Sequence, residues 1–265
     1  MPWGMKPRRQ AAPRPLLPPA LCLPAAVLIT GCAVVTASLA LAFAGQGRAD
    51  GLDAAVDRTV RNGIGGHRAP LHLLADLGGQ ELVTITTVAL VVACLVARRW
   101  RGAALAGLAV PAASALTESV LKPFIDRTIG GSPGYPSFPS GHATAMFALA
   151  TTCTVLLAGP SRPRLPGVLR LLLGLGAVLI AATVGIAMVG LGYHYFTDIV
   201  AGTAVGIGMV LLTALLIDWA ADSLRARRAR RRAGGPPVTS RPDPQSMTGH
   251  LVAGEASRRA AGPAT

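Results

Sequence analysis

The chain has 265 residues and a formal net charge of +13, yet 51% of its side chains are hydrophobic and only 14% are charged. With a mean hydropathy of +0.50, that balance excludes an ordinary soluble domain and a disordered chain. The basic residues cluster beside long apolar runs. They therefore read as topology signals and contacts with anionic lipid rather than as a nucleic-acid surface.

In chain order, Lys6, Arg8, Arg9 and Arg14 precede a first uncharged run at 15–47. Further runs of low charge follow at 82–97, 102–117, 128–161, 171–197 and 199–217. A helix across roughly 30 Å of hydrocarbon needs about 20 apolar residues. The second run reaches that length only by taking in Glu81 or Arg98 at the interfaces. In lipid a lone apolar segment must satisfy its own backbone polar groups, so each run is expected to be helical, and the alternating polarity of a barrel is absent. The expected fold class is all-α: a polytopic membrane protein whose six-helix bundle occupies 21–220. A basic N-terminal segment at 1–20 and a basic, disordered tail at 221–265 flank it, the tail being rich in Gly, Pro, Ser and Thr from about 233 onward.

Arginine positions orient the bundle. Arg98, Arg99 and Arg101 follow the second run, Arg162, Arg164 and Arg170 fall between the fourth and fifth, and six arginines lie within 225–232. These mark the cytoplasmic side, so both termini are expected there. The segment 46–80 balances Arg48, Arg58, Arg61 and Arg68 against Asp50, Asp53, Asp57 and Asp76 and is expected outside. Its Leu52, Val56 and Val60 suggest an interfacial helix. The N-terminal run also invites a signal-peptide reading, ending at Ala42-Phe43-Ala44, although its apolar stretch is long for one.

Cys22, Cys32, Cys94 and Cys153 all fall inside apolar runs without metal-ligand spacing and read as small core residues. Polar residues gather instead where runs meet the outer face. Glu118 and Lys122 stand one helical turn apart, and Arg127 follows as a second cation for anion capture. Pro139-Ser140-Gly141-His142 opens the fourth run. There Ser140 suits an N-cap and supplies a hydroxyl donor, Gly141 admits close approach to the helix N-terminus, and His142 can give a proton to a leaving oxygen. An ordinary capped helix with an interfacial histidine would look the same. Finally, His194 and Asp198 lie four residues apart, so a carboxylate can orient an imidazole as nucleophile. A plain acidic residue complementing the helix dipole is the alternative. Gly202 and Gly206 on one face of the last run, with Ala181 and Gly185 on the fifth, allow close helix packing.

Lys122, Arg127, Pro139-Ser140-Gly141-His142, His194 and Asp198 together resemble the type 2 phosphatidic acid phosphatase family of membrane lipid phosphatases, over about 81–219. That resemblance implies six spans, no metal or other cofactor, and a lipid phosphate or diphosphate as substrate. Lys122 and Arg127 would bind phosphate, Ser140 and the Gly141 backbone would hold its oxygens, and His142 would protonate the leaving group. His194 would attack phosphorus to form a phosphohistidine, with Asp198 orienting it. Two departures stand out: Ile129-Gly130 replaces the family's Arg-Pro, and Ala187-Met188 replaces its Ser-Arg. Isoprenoid diphosphates, phosphatidate and phosphatidylglycerol phosphate all fit the implied chemistry. A phosphotransferase acting on lipid acceptors, or a non-catalytic phospholipid-binding or transport protein, is the alternative. Membrane lipids are the expected surroundings, and no nucleic-acid partner is expected.

Overall fold

The computed structural model describes residues 15–130, 135–159 and 165–233. The expectations placed on the N-terminal basic residues, on Arg162 and Arg164, and on the tail from 234 lie outside these residues. Nine α-helices are described, and no strand among the described residues: α1 (Pro19–Phe43), α2 (Leu52–Ile64), α3 (Arg68–Leu77), α4 (Gln80–Val96), α5 (Trp100–Ala115), α6 (Lys122–Ile125), α7 (Gly141–Ala158), α8 (Gly167–Leu191) and α9 (Phe196–Ala233). A π-helical segment, Leu116–Leu121, joins α5 to α6 without a break, making one apolar rod from Trp100 to Ile125. The last helix continues through 221–233, so the front of the segment read as a disordered tail is helical.

Five helices are long and apolar enough to cross a membrane, and a sixth crossing exists if α3 and α4, bent by 41° at Gly78-Gly79, count as one. The protein is thus an all-α, multi-pass membrane protein. The weakest of the six expected spans is indeed the least regular, because α4 alone has only 17 residues.

In hydrocarbon there is little hydrophobic drive between helices, so close backbone approach has to hold them. Two glycines of α9 provide it. A Cβ at Gly202 would sit 2.5 Å from the Ser140 carbonyl oxygen, and one at Gly206 would sit 2.5 Å from that of Thr144, so α9 lies directly on the backbone of α7. Gly185 of α8 instead leaves room for a side chain, the Ile199 Cγ2 that a Cβ there would meet at 2.8 Å. Around these contacts small and branched side chains fill the core, among them Leu105 and Ala109 of α5, Ala148 of α7, Val184 of α8 and Val210 of α9. At the bundle end far from the histidines, Asp218 accepts from the backbone N–H groups of Leu16 and Leu17 at 2.8 and 3.0 Å and pairs with Arg101 at 2.7 Å.

Helices α2 and α3 differ from a strip adhering to lipid. Leu71 and Ala75 of α3 pack on Ala187, Met188 and Leu191 of α8. In α2, Leu52 of the apolar stripe is exposed, and the buried residues are Asp53 and Asp57. Both carboxylates have partners in the bundle.

Candidate active site

The turn before α9 carries the first part of the site. Gly192, left-handed at φ +78°, ends α8, and Phe196 begins the last helix four residues on. The first N–H groups of a helix have no partner within it. Here three carboxylates take them. Asp198 reaches back to the Tyr195 N–H at 3.0 Å, Asp57 accepts from Phe196 at 3.1 Å, and Asp53 accepts from Thr197 at 2.8 Å. Asp198 thereby plays the part of the acidic residue in a capping box, while α2 supplies the other two acceptors from outside the helix.

Arg127 lies in the centre of this acidic turn and is fully buried. Its Nη1 donates to Asp198 Oδ1 at 2.6 Å and to Thr197 Oγ1 at 2.7 Å, and its Nη2 donates to Asp53 Oδ2 at 2.6 Å. The guanidinium is stacked between the rings of Phe43 and Tyr195, 4.1 and 4.4 Å from their centroids. A charge so deeply placed is tolerated only when it is paired and hydrogen-bonded. Burial, opposed by the Phe196 N–H and helped by the neighbouring Asp53 charge, pushes the Asp57 carboxyl above the usual carboxylate range.

His194 projects from the same turn. Its Nδ1 is 3.6 Å from Asp198 Oδ2, just outside hydrogen-bond range, and the two meet through the turn that precedes α9 rather than across a helical turn as the spacing predicts. Catalytic hydrogen bonds are often this long before substrate binds.

The second part is the N-terminus of α7. Ser140 is its N-cap: the hydroxyl oxygen accepts from Ala143 N at 3.4 Å, and the Ser140 N–H donates to the Asp198 carbonyl at 3.0 Å, tying the two helix starts together. The Gly141 and His142 N–H groups stand ahead of the first helical bonds. A Cβ on Gly141 would collide with Glu118 Oε1, so glycine is what lets the 2.8 Å Lys122–Glu118 pair approach this helix start.

These segments enclose one open cavity of about 630 Å³, within the usual range for a small-molecule site. Lys122, Gly141, His142 and His194 all line it, with Glu118, Ile129 and Tyr193. Both imidazoles therefore share a compartment. Gly78, at the α3–α4 bend, closes over His142: a Cβ there would lie 3.1 Å from His142 Cδ2.

Three expected site residues lie outside the cavity wall. Asp198 is buried behind His194. Ser140 is completely buried and occupied in capping, so its hydroxyl is not presented to a ligand. Arg127 is likewise withdrawn from phosphate capture, because both of its terminal nitrogens are committed to carboxylates. Sequence reasoning missed Asp53 and Asp57, which figured only in a charge balance. Their i,i+4 spacing was the available signal. Nothing local pointed to Arg127 as the partner.

A bundle of this kind, with two imidazoles and a lysine converging on one cavity, defines a multi-pass membrane protein with a histidine-lined site. Residues 109–222 match the family model of the PAP2 superfamily. It is 30% identical over 129 residues to "Probable lipid phosphate phosphatase 4" of Arabidopsis thaliana, an alignment covering 45% of this chain and 42% of the relative's length. The chain thus spans less than half of that relative. Its fold is similar to the crystal structure of "the first transmembrane PAP2 type phosphatidylglycerolphosphate phosphatase from Bacillus subtilis", with a TM-score of 0.54 and 20% identity, covering 71% of this chain and 93% of the other.

Proposed function

We propose that the protein is a lipid phosphatase that releases phosphate from a lipid phosphate or diphosphate at the outer face of the cytoplasmic membrane, with both termini inside. The observation that carries this reading is the convergence of His194, His142, Lys122 and the α7 N-terminus on one cavity. In this reading a phosphoryl group rests against the Lys122 ammonium and the Gly141 and His142 N–H groups, where the helix dipole favours negative charge. A nitrogen of His194 attacks phosphorus as the bond to the lipid oxygen breaks, and His142 gives that oxygen its proton. Water then attacks the phosphohistidine, passing a proton to His142 and releasing phosphate, which restores both imidazoles. No metal takes part in these steps. Asp198 orients His194, while Arg127, Asp53 and Asp57 act one layer further out by holding Asp198 and the turn.

The family's arginine positions shape the expected strength of binding. Ile129 stands on the cavity wall and Met188 is buried against α3, so Lys122 is the sole fixed cation among the described residues lining the cavity. This favours a second reading, a phospholipid-binding protein that has lost turnover. One experiment separates them: phosphate release by purified protein from a panel of lipid phosphates and diphosphates, with chelator present, beside His194→Ala. The proposal expects release that survives chelator and vanishes in the variant. Equal release by both proteins removes His194 as nucleophile, loss with chelator indicates a metal, and no release with retained lipid binding supports the second reading.

A further inference from the structure

Two anions compete for one place in this cavity. In the phosphatase reading the phosphoryl group is seated against the Lys122 ammonium and the start of α7, and a carboxylate of the chain already stands there. Glu118 pairs with Lys122 at 2.8 Å and lines the same cavity. A Cβ on Gly141 would meet both, colliding with Glu118 Oε1 and lying 3.7 Å from Lys122 Nζ. The backbone fixes this arrangement. The Lys122 N–H donates to the Thr117 carbonyl five residues back, which is the π-helical register, and single π turns within α-helices are frequent at functional sites. From that turn the buried hydroxyls of Thr117 and Thr144 share a hydrogen bond at 3.1 Å, pinning the segment to α7. The two charged side chains differ in freedom: that of Glu118 is 50% exposed and that of Lys122 only 18%. The carboxylate can therefore leave for solvent while the ammonium stays.

We infer that Glu118 is a resident anion at the phosphoryl seat, weakening the site for every phosphate and swinging away from Lys122 when a substrate phosphoryl group arrives. The inference rests on the lipid-phosphatase reading for the place of the phosphoryl group and on the Glu118–Lys122–Gly141 contacts for the competition. Its consequence is selectivity against the free product. The formal charges of Glu118 and Lys122 cancel, so the pair gives inorganic phosphate no net attraction, and a carboxylate beside a phosphate disfavours both charged forms. A lipid phosphate meets the same barrier at a high effective concentration, because the membrane holds it against the site. Inorganic phosphate, once detached, has no such tether and leaves as Glu118 returns to Lys122.

The test uses the full chain in detergent and two probes, inorganic phosphate and orthovanadate. Calorimetry reads their binding without any need for turnover, and inhibition of phosphate release from phosphatidate reads it again where turnover is present. Glu118→Gln removes the charge and keeps the shape and an acceptor for Lys122, while Glu118→Ala removes the group. Both variants are expected to bind both anions about tenfold more tightly than wild type, the order of one like-charge contact in a half-exposed site, and KM for phosphatidate is expected to fall in step. A carboxylate whose task is to aim Lys122 gives the opposite sign. The proposal is overturned if neither variant binds the anions more tightly than wild type, and release of phosphate by the wild type then leaves the phosphatase reading standing. A wild type that releases no phosphate from any lipid substrate, beside a Glu118→Gln variant that gains affinity for vanadate, refutes the phosphatase reading and leaves the resident anion in place.

Discussion

Replacing Arg127 by methionine separates two roles that the sequence leaves open for it, phosphate contact and support of the active-site turn. In the structure the guanidinium makes 2.6 Å contacts with both Asp53 and Asp198, and all three side chains are fully buried. Methionine keeps much of the volume and removes the charge, leaving two carboxylates facing each other without a cation. Breaking a buried pair in this way costs about 3–5 kcal/mol, which for a domain near 200 residues lowers the melting temperature by roughly 6–20 °C. The consequence for catalysis is positional. Asp198 loses one of its anchors, His194 drifts, and kcat is expected to fall about 100-fold, the usual penalty for a misplacement near 1 Å, with KM nearly unchanged. Thermal inactivation in detergent and steady-state phosphate release measure the two effects on the same preparation. Asp53→Asn keeps an acceptor for Thr197 and removes one charge, and the pair with Arg127→Met is expected to be non-additive by about 0.5–3 kcal/mol. The reasoning fails if Arg127→Met raises KM steeply while melting temperature and kcat hold, for that pattern belongs to a direct phosphate contact.

The raised Asp57 carboxyl has a pH signature. Its folded form holds the proton more tightly than the unfolded chain does, so its contribution is complete below the ordinary aspartate value near 4 and is lost as pH rises through the raised folded value. Asp57→Asn, which retains an acceptor for the Phe196 N–H, is expected to flatten the decline in melting temperature on the alkaline side of pH 4. Gly206→Ala places a methyl 2.5 Å from the Thr144 carbonyl oxygen, and the forced separation of α7 and α9 should cost about 1–3 kcal/mol in detergent unfolding. Arginine restored at the two departed positions should behave oppositely. Ile129→Arg points into the cavity and is expected to raise turnover about ten- to a few-hundred-fold, the worth of one charge-assisted hydrogen bond. Met188→Arg buries a cation among Leu71, Ala75 and Leu191 and is expected to lower stability without a gain in rate.

The spans were legible because lipid leaves an apolar segment no alternative to helix, and the four-residue spacing of Glu118 with Lys122 translates directly into a contact across one turn, whereas His194 precedes α9 and stops 3.6 Å short of Asp198. Gly202 and Gly206 were legible for the same reason of period. Residues whose role depends on a distant segment were not. Arg127 looks like a loop cation until α2 folds back and puts Asp53, 74 positions earlier, against it. Ser140 fits both a cap and a ligand donor in sequence, and only its complete burial decides for the cap. In α2 the apolar stripe at Leu52, Val56 and Val60 suggested an interfacial helix and drew attention away from Asp53 and Asp57, which form its buried face.

The burial of Asp53 and Asp57 ties α2 to the candidate site. A turn preceding a membrane helix has three N–H groups to satisfy at the depth where water thins out, and an unsatisfied one costs about 1–3 kcal/mol. With Asp53 and Asp57 as acceptors, the turn is determined from two sides, by α2 above it and by Arg127 beside it. The start of α7 then inherits the same fixed frame through the Ser140 N–H bond to the Asp198 carbonyl. The backbone segments that carry His142 and His194 are therefore tied by one continuous set of hydrogen bonds, although 51 residues of sequence and a full hairpin of membrane helices separate the two residues. In a cavity where Lys122 is the one permanently charged cation among the described lining residues, such rigidity matters more than it would beside two arginines. A lysine is a mobile point charge, whereas the N–H groups of Gly141 and His142 bind an anion only where the backbone puts them. Loosening α2 should thus depress phosphate chemistry before it unfolds the bundle.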